Sequence, residues 1–195
     1  RSALPARSEM CIRDSHHKKK GGILLRYQQI IFDVDDTIID FAATEDFALH
    51  SLFNAHHWPL SAELQRQYHS YNQGLWRQLE QGELTYEELS EMTFHDFILD
   101  HFGIEIDGKK AMDEYRSYFG EAHQLLPGVE DTLKFAKKQG YKLTVLSNGE
   151  KFMQNHRLEL AGVKKYFDLI VTSEEAHYSK PNLHAFDYFF SRTEI

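Results

Sequence analysis

After Leu126-Pro127-Gly128 the chain alternates short apolar runs with amphipathic stretches, and this alternation restricts it to few folds. Val129–Gln139 has helical spacing and is stopped by Gly140. Lys142–Ser147, reading Lys-Leu-Thr-Val-Leu-Ser, predicts a strand. Lys151–Ala161 predicts a helix ended by Gly162, Phe167–Thr172 another strand, and Leu183–Ser191 an amphipathic helix. Strands separated by single helices pair in parallel through right-handed crossovers. An earlier apolar run, Ile23–Val34, adds a first strand that reads as buried on both faces. The expected fold class is α/β, with a Rossmann-like parallel sheet.

Between the first strand and this alternation the periodicity is different. Aromatic and aliphatic residues recur three and four positions apart: Phe47, Leu49, Leu52, Phe53; Leu64, Tyr68, Tyr71, Leu75; Leu89, Phe94, Phe97, Ile98; Met112, Tyr115, Tyr118, Phe119. Trp58-Pro59-Leu60-Ser61 reads as a break followed by an N-cap, and Thr85 with Glu88 stands in capping-box register. Gly103 and Gly108 punctuate the third and fourth helices. The expectation is a helical module over residues 41–124, inserted into an α/β core of residues 23–40 and 125–195.

The first strand ends in chemistry. Ile30–Thr37 reads Ile-Ile-Phe-Asp-Val-Asp-Asp-Thr. Alternate residues of an extended chain face the same way, so Asp33 and Asp35 can address one centre at the strand's carboxyl end. Two adjacent carboxylates repel unless a cation lies between them or they hold different protonation states. Either arrangement suits chemistry: a Mg²⁺ site, or a nucleophile beside a general acid and base. The second strand ends in Ser147-Asn148-Gly149, a hydroxyl and backbone N–H groups ahead of a helix. Ser179-Lys180-Pro181 follows the third strand, with Pro181 suited to a first helical turn and Lys180 able to supply a fixed positive charge. Taken singly, the second of these motifs is also ordinary turn chemistry, and the third also fits a surface lysine.

Net charge is −8, and residues 1–20 carry six Lys/Arg against two acids, so the rest of the chain stands at −12. An acidic body argues against nucleic-acid binding through a basic face. It also requires local cations or backbone donors at any phosphate site. No apolar run approaches a membrane span, and no continuous apolar core marks a signal peptide. The single cysteine, Cys11, excludes an internal disulfide framework. Ser8–Ser15 resembles a translated sequencing adapter, and residues 1–22 read as a disordered, non-native tail rather than a metal-binding or polybasic segment. The twelve histidines show no ligand spacing on one helix face and read as solvated or packing residues.

In this order, each at a strand's carboxyl end, the three motifs resemble the haloacid dehalogenase superfamily of phosphohydrolases, over about residues 24–195. The helical insertion resembles that superfamily's C1-type cap. Asn72-Gln73-Gly74-Leu75-Trp76, Gly82-Glu83-Leu84-Thr85, Tyr166–Ile170 and Ser173-Glu174-Glu175 narrow the likeness to noncanonical pyrimidine 5′-nucleotidases. The resemblance implies that Asp33 attacks phosphorus and that Asp35 serves first as acid and then as base. It implies Mg²⁺ at Asp33 and Asp35, and phosphate contacts from Thr37, Ser147, Asn148 and Lys180. Asn72 and Trp76 are the implied substrate contacts, by an amide and a stacking face. The implied substrate is a small phosphomonoester, a nucleotide first, handled in the cytoplasm by an enzyme of the EC 3.1.3 class. Sugar phosphate or phosphoglycolate hydrolysis, phosphomutase and dehalogenase chemistry are the alternatives. Oligomeric state is not legible. The superfamily's fourth motif, an acidic pair after the next strand, has no counterpart here. The core is therefore expected to be incomplete by roughly 40–60 residues, and the chain to be inactive by itself.

Overall fold

The computed structural model describes residues 27–193. The tail expected over residues 1–22 and the start of the first strand lie outside them. The described chain separates into two compact units. One takes in the residues up to Phe41 and from His123 onward; the other is Ala42–Ala122.

The first unit is the α/β one. Strands β1 (Gln29–Phe32), β2 (Lys142–Ser147) and β3 (Leu169–Thr172) form a parallel sheet in the order β1-β2-β3. Phe32 stands opposite Val145, and Ser147 opposite Thr172, so the strands reach the same end of the sheet in register. Alternate residues of β2 serve opposite faces, as the pleat requires. Leu143 and Val145 join Val34, Ile38, Ile39, Leu133 and Leu158 in one core, and Leu146 packs with Val171 and Phe189 in another.

The first strand was expected to be buried on both faces, yet all of Gln29–Phe32 is only half-buried. Among the described residues β1 is an edge strand, with β2 on one side and no strand on the other. The most buried strand is the central one, β2, in which every residue after Lys142 is buried.

Three longer helices complete this unit: Val129–Lys138, Lys151–Leu160 and Leu183–Arg192. Lys151–Leu160 is the post-β2 helix. Asp168 pins the sheet's lower end. Its Oδ2 accepts the Leu143 N–H at 2.8 Å, and both its oxygens lie 2.9 Å from the Lys137 ammonium. Burial pushes the Asp168 carboxyl up, but Lys137 and the Leu143 N–H outweigh it and hold the group below its ordinary value.

The second unit carries four helices, α1 (Phe41–Ala55, whose first residue belongs to the α/β unit), α2 (Ala62–Glu80), α3 (Tyr86–Phe102) and α4 (Gly108–Glu121). Local sequence sets their ends. The Leu64 N–H donates to Ser61 Oγ, and the Glu88 N–H donates to Thr85 Oγ1 while the Glu88 carboxylate accepts the Thr85 N–H. Gly103 closes α3 in the left-handed region at φ 65°. Leu49, Leu52, Phe53, Tyr68, Phe94 and Ile98 form the centre of this unit's core. Burial, with help from Asp96 and Asp100, pushes the Tyr71 phenol up to about 12, and its hydroxyl donates to the Met92 carbonyl at 3.0 Å. Gly108 allows α3 and α4 to touch through their backbones: a Cβ there would lie 1.9 Å from the Glu91 carbonyl oxygen.

Candidate active site

The carboxyl ends of the parallel strands gather the polar motifs of the α/β unit. Asp33 is the first residue beyond β1. Its Oδ1 accepts the Val34 N–H at 2.8 Å, and its Oδ2 lies 2.8 Å from the Lys180 ammonium. Lys180 thus comes to Asp33 from 147 positions along the chain, out of the loop after β3.

That loop is held by Asn148. Its Oδ1 accepts the Lys180 N–H at 2.7 Å, and its Nδ2 donates to the Lys180 carbonyl at 2.9 Å. The Asn148 side chain is therefore spent on main chain rather than on a ligand. The Gly149 N–H donates to Ser173 Oγ at 3.0 Å, tying the turn after β2 to the residue that follows β3.

Asp35 and Asp36 occupy the turn after Asp33. The Asp36 N–H donates to the Ile39 carbonyl, and Ile38 and Ile39 bond back to Val34. Asp36 stands in the left-handed region at φ 54°, exposed, with its carboxylate accepting the Phe41 N–H at 3.2 Å. Asx residues tolerate that conformation, which accounts for an Asp at this position. Thr37 is exposed in the same turn. Asp35 points the other way, onto the post-β2 helix. Its Oδ1 accepts from Arg157 Nη1 at 2.8 Å and its Oδ2 from Gln154 Nε2 at 2.9 Å.

Ser147, the last residue of β2, is buried, and its Oγ accepts from the same Gln154 amide nitrogen at 3.0 Å. Gln154 and Arg157 were missed in the sequence. The signal was present: they occupy the inward face of their helix beside Leu158, where apolar residues belong, and Arg157 is fully buried. A buried guanidinium requires acceptors, and Asp35 supplies one.

The two remaining candidates lie in the helical unit. Asn72 is buried on α2 and donates to Glu45 Oε1 at 3.3 Å. It belongs to a polar group in which His69 stands between Glu45, at 3.5 Å, and Asp46, at 3.1 Å. Trp76 is 44% exposed, with its ring tilted against Tyr86.

The donors near Asp33 fit a Mg²⁺ ion in kind, since a carboxylate and a main-chain carbonyl are hard oxygen ligands. Among the described residues no group of three or more His, Cys, Asp or Glu side chains could hold a metal ion.

Residues 27–193 match the haloacid dehalogenase-like hydrolase family. The chain belongs to that family. Among haloacid dehalogenase-like hydrolases it is 38% identical to the HAD-hydrolase YfnB of Bacillus subtilis (strain 168), over 86% of this chain and 70% of YfnB. A crystal structure of YfnB bound to magnesium superposes with a TM-score of 0.80 at 37% identity, covering 87% of this chain and 74% of that one. Pyrimidine 5′-nucleotidase PynA of Streptococcus pneumoniae (strain ATCC BAA-255 / R6) is 31% identical over 80% of this chain and 65% of its own length. Pyrimidine 5′-nucleotidase YjjG of Escherichia coli (strain K12) is 29% identical over 84% of this chain and 70% of its own. The chain thus spans about two thirds of the length of these relatives. No described helix is long and apolar enough to cross a membrane.

Proposed function

We propose that the full-length protein is a Mg²⁺-dependent phosphomonoesterase that works through an aspartyl phosphate on Asp33. We further propose that its substrates are pyrimidine nucleoside 5′-monophosphates. The carrying observation is the 2.8 Å approach of the Lys180 ammonium to the Asp33 carboxylate at the end of β1. A lysine there can neutralise a phosphoryl oxygen beside the nucleophile, the charge problem that phosphoryl transfer poses.

In this reading an Asp33 oxygen attacks phosphorus, and the bond from phosphorus to the ester oxygen breaks. Asp35, which accepts from Arg157 and Gln154, would take up a proton as substrate binds, give it to the leaving alkoxide, then take a proton from the water that cleaves the aspartyl phosphate. Ser147, Thr37, the Asn148 N–H and Lys180 hold the phosphoryl oxygens. Mg²⁺, held by Asp33 and the Asp35 main-chain carbonyl, would add positive charge beside the phosphoryl group. The nucleotide preference rests on the likeness to PynA and YjjG. Trp76 offers an exposed ring to a flat base, and Asn72 would offer its amide by giving up its hydrogen bond to Glu45.

The test is a panel of nucleoside monophosphates, sugar phosphates, phosphoglycolate and a 2-haloacid, run with full-length protein and Mg²⁺. UMP, dUMP and dTMP are expected ahead of purine nucleotides. A preference for a hexose phosphate or phosphoglycolate would leave the phosphatase and overturn the nucleotidase; halide release without phosphate release would overturn both. Asp33→Asn, nearly isosteric but not anionic, is expected to abolish turnover. Residual activity within tenfold of the parent would refute Asp33 as nucleophile.

A further inference from the structure

The group on the post-β2 helix does more than fill space. Arg157 Nη1 donates both to Asp35 Oδ1 at 2.8 Å and to Gln154 Oε1 at 3.3 Å. A guanidinium has no acceptor and a carboxylate has no donor. Between these two neighbours the Gln154 amide has one satisfactory orientation: oxygen toward Arg157, nitrogen toward Asp35. Flipping it would set an amide oxygen against a carboxylate and N–H against N–H. With the nitrogen so directed, one amide hydrogen goes to Asp35 Oδ2 at 2.9 Å and the other to Ser147 Oγ at 3.0 Å. The Ser147 oxygen is then an acceptor toward the helix, and its own hydrogen is left to donate to something else.

We infer that Gln154 and Arg157 are positioning residues that turn the Ser147 hydroxyl into a hydrogen-bond donor for an anionic ligand, with Arg157 fixing the amide and the amide fixing the hydroxyl. The inference rests on the assignment of Ser147 to the phosphoryl group, made above. It accounts for a second feature. A Cβ on Gly149 would lie 2.7 Å from Gln154 Nε2 and 3.0 Å from its Cγ. Gly149 therefore leaves the space through which the amide reaches Ser147. Since Gln154 is buried, a displaced amide has no solvent to receive it.

The experiment is a double-mutant cycle on full-length protein, read by calorimetric binding of inorganic phosphate in the presence of Mg²⁺ and, separately, by kcat/KM. Gln154→Met keeps the bulk and removes both donors. It is expected to weaken phosphate binding about tenfold in the parent, the range of one hydrogen bond to a charged group. In a Ser147→Ala background the same change is expected to cost less than about threefold, because the group it acts through is gone. Equal losses in the two backgrounds, or none in the parent, would overturn the inference, because a merely structural role costs the same with or without Ser147. Gly149→Ala is expected to reproduce the Gln154→Met pattern by steric displacement. Arg157→Lys, which keeps a charged donor, is expected to bind phosphate more tightly than Arg157→Met. If Arg157→Met fails to fold, the Gln154 and Gly149 arms decide. A parent that binds phosphate but hydrolyses no phosphomonoester, with the cycle non-additive, would keep this inference and refute the proposed reaction. A parent that hydrolyses phosphomonoesters with an additive cycle would do the reverse. A parent that binds no phosphate would refute both.

Discussion

Glycine-to-alanine substitution should have opposite signs at two positions of the helical unit. Gly108 opens α4 against α3, and an added methyl would meet the Glu91 carbonyl oxygen at 1.9 Å and its carbon at 2.8 Å, with His95 Cβ at 3.0 Å. The first two are backbone atoms and have no rotamer through which to escape. Relief requires moving one helix against the other by more than 1 Å, roughly the gap to ordinary van der Waals distance. Two N–H groups of the first turn of α4 also donate to the Glu91 carboxylate at 3.2 Å, so the movement would strain these bonds too. Overpacking of this kind costs about 1–3 kcal/mol, and the rigid obstacle places Gly108→Ala toward the upper part of that range. Helix propensity returns about 1 kcal/mol at most, leaving a net loss near 2 kcal/mol. Gly74 sits in the middle of α2, and a Cβ there meets nothing within 4 Å. Gly74→Ala should therefore stabilise by about 0.5–1 kcal/mol. Urea unfolding followed by far-UV circular dichroism measures both variants against the parent. A neutral or stabilising Gly108→Ala would refute the backbone contact between α3 and α4, and a destabilising Gly74→Ala would refute the open space above α2.

Two further outcomes follow from the α/β unit. Asp168→Ala should lower stability at pH 7 by about 1 kcal/mol, a value reduced for the partial exposure of its ion pair with Lys137. The folded carboxyl lies below its ordinary value. Its contribution is thus complete above the unfolded carboxyl range and is lost as pH falls through the folded value. Urea midpoints at several pH values should show the gap between parent and variant constant at neutral pH and closing in acid; a gap that widens in acid would contradict this. Asn148→Ala should free the Lys180 loop and lower kcat/KM of the full-length enzyme about tenfold, on the loss of two main-chain hydrogen bonds. An unchanged kcat/KM would show that the loop holds its place without Asn148.

The parts of this molecule that were legible in sequence are those written in local patterns. The strand at Lys142–Ser147 was readable as an apolar run ended by Gly140 on one side and Ser147-Asn148-Gly149 on the other. The Thr85–Glu88 capping box needs only its own four residues. Asp33 and Lys180 were readable as candidates because each follows a strand-like run. What stayed hidden depends on neighbours distant in the chain. The half-burial of β1 follows from sheet order, which no residue of β1 encodes. Gln154 and Arg157 share the inward helix face of Leu158, but the partner that receives them, Asp35, lies more than a hundred positions away. Asn148 was expected to offer its N–H to a ligand. That its side chain holds the Lys180 loop depends on a register between two loops that only the assembled sheet sets.

The Asn148 contact also separates two duties within one residue. Asn148 reads only the N–H and carbonyl of Lys180, while Asp33 reads only its ammonium. Position 180 can therefore exchange its side chain without surrendering its anchor. A neutral, shortened or isotopically marked group could be installed there with the loop still latched. Any change in behaviour would then report the missing charge rather than a wandering backbone. Asn148 has no such latitude, since its whole side chain is the latch.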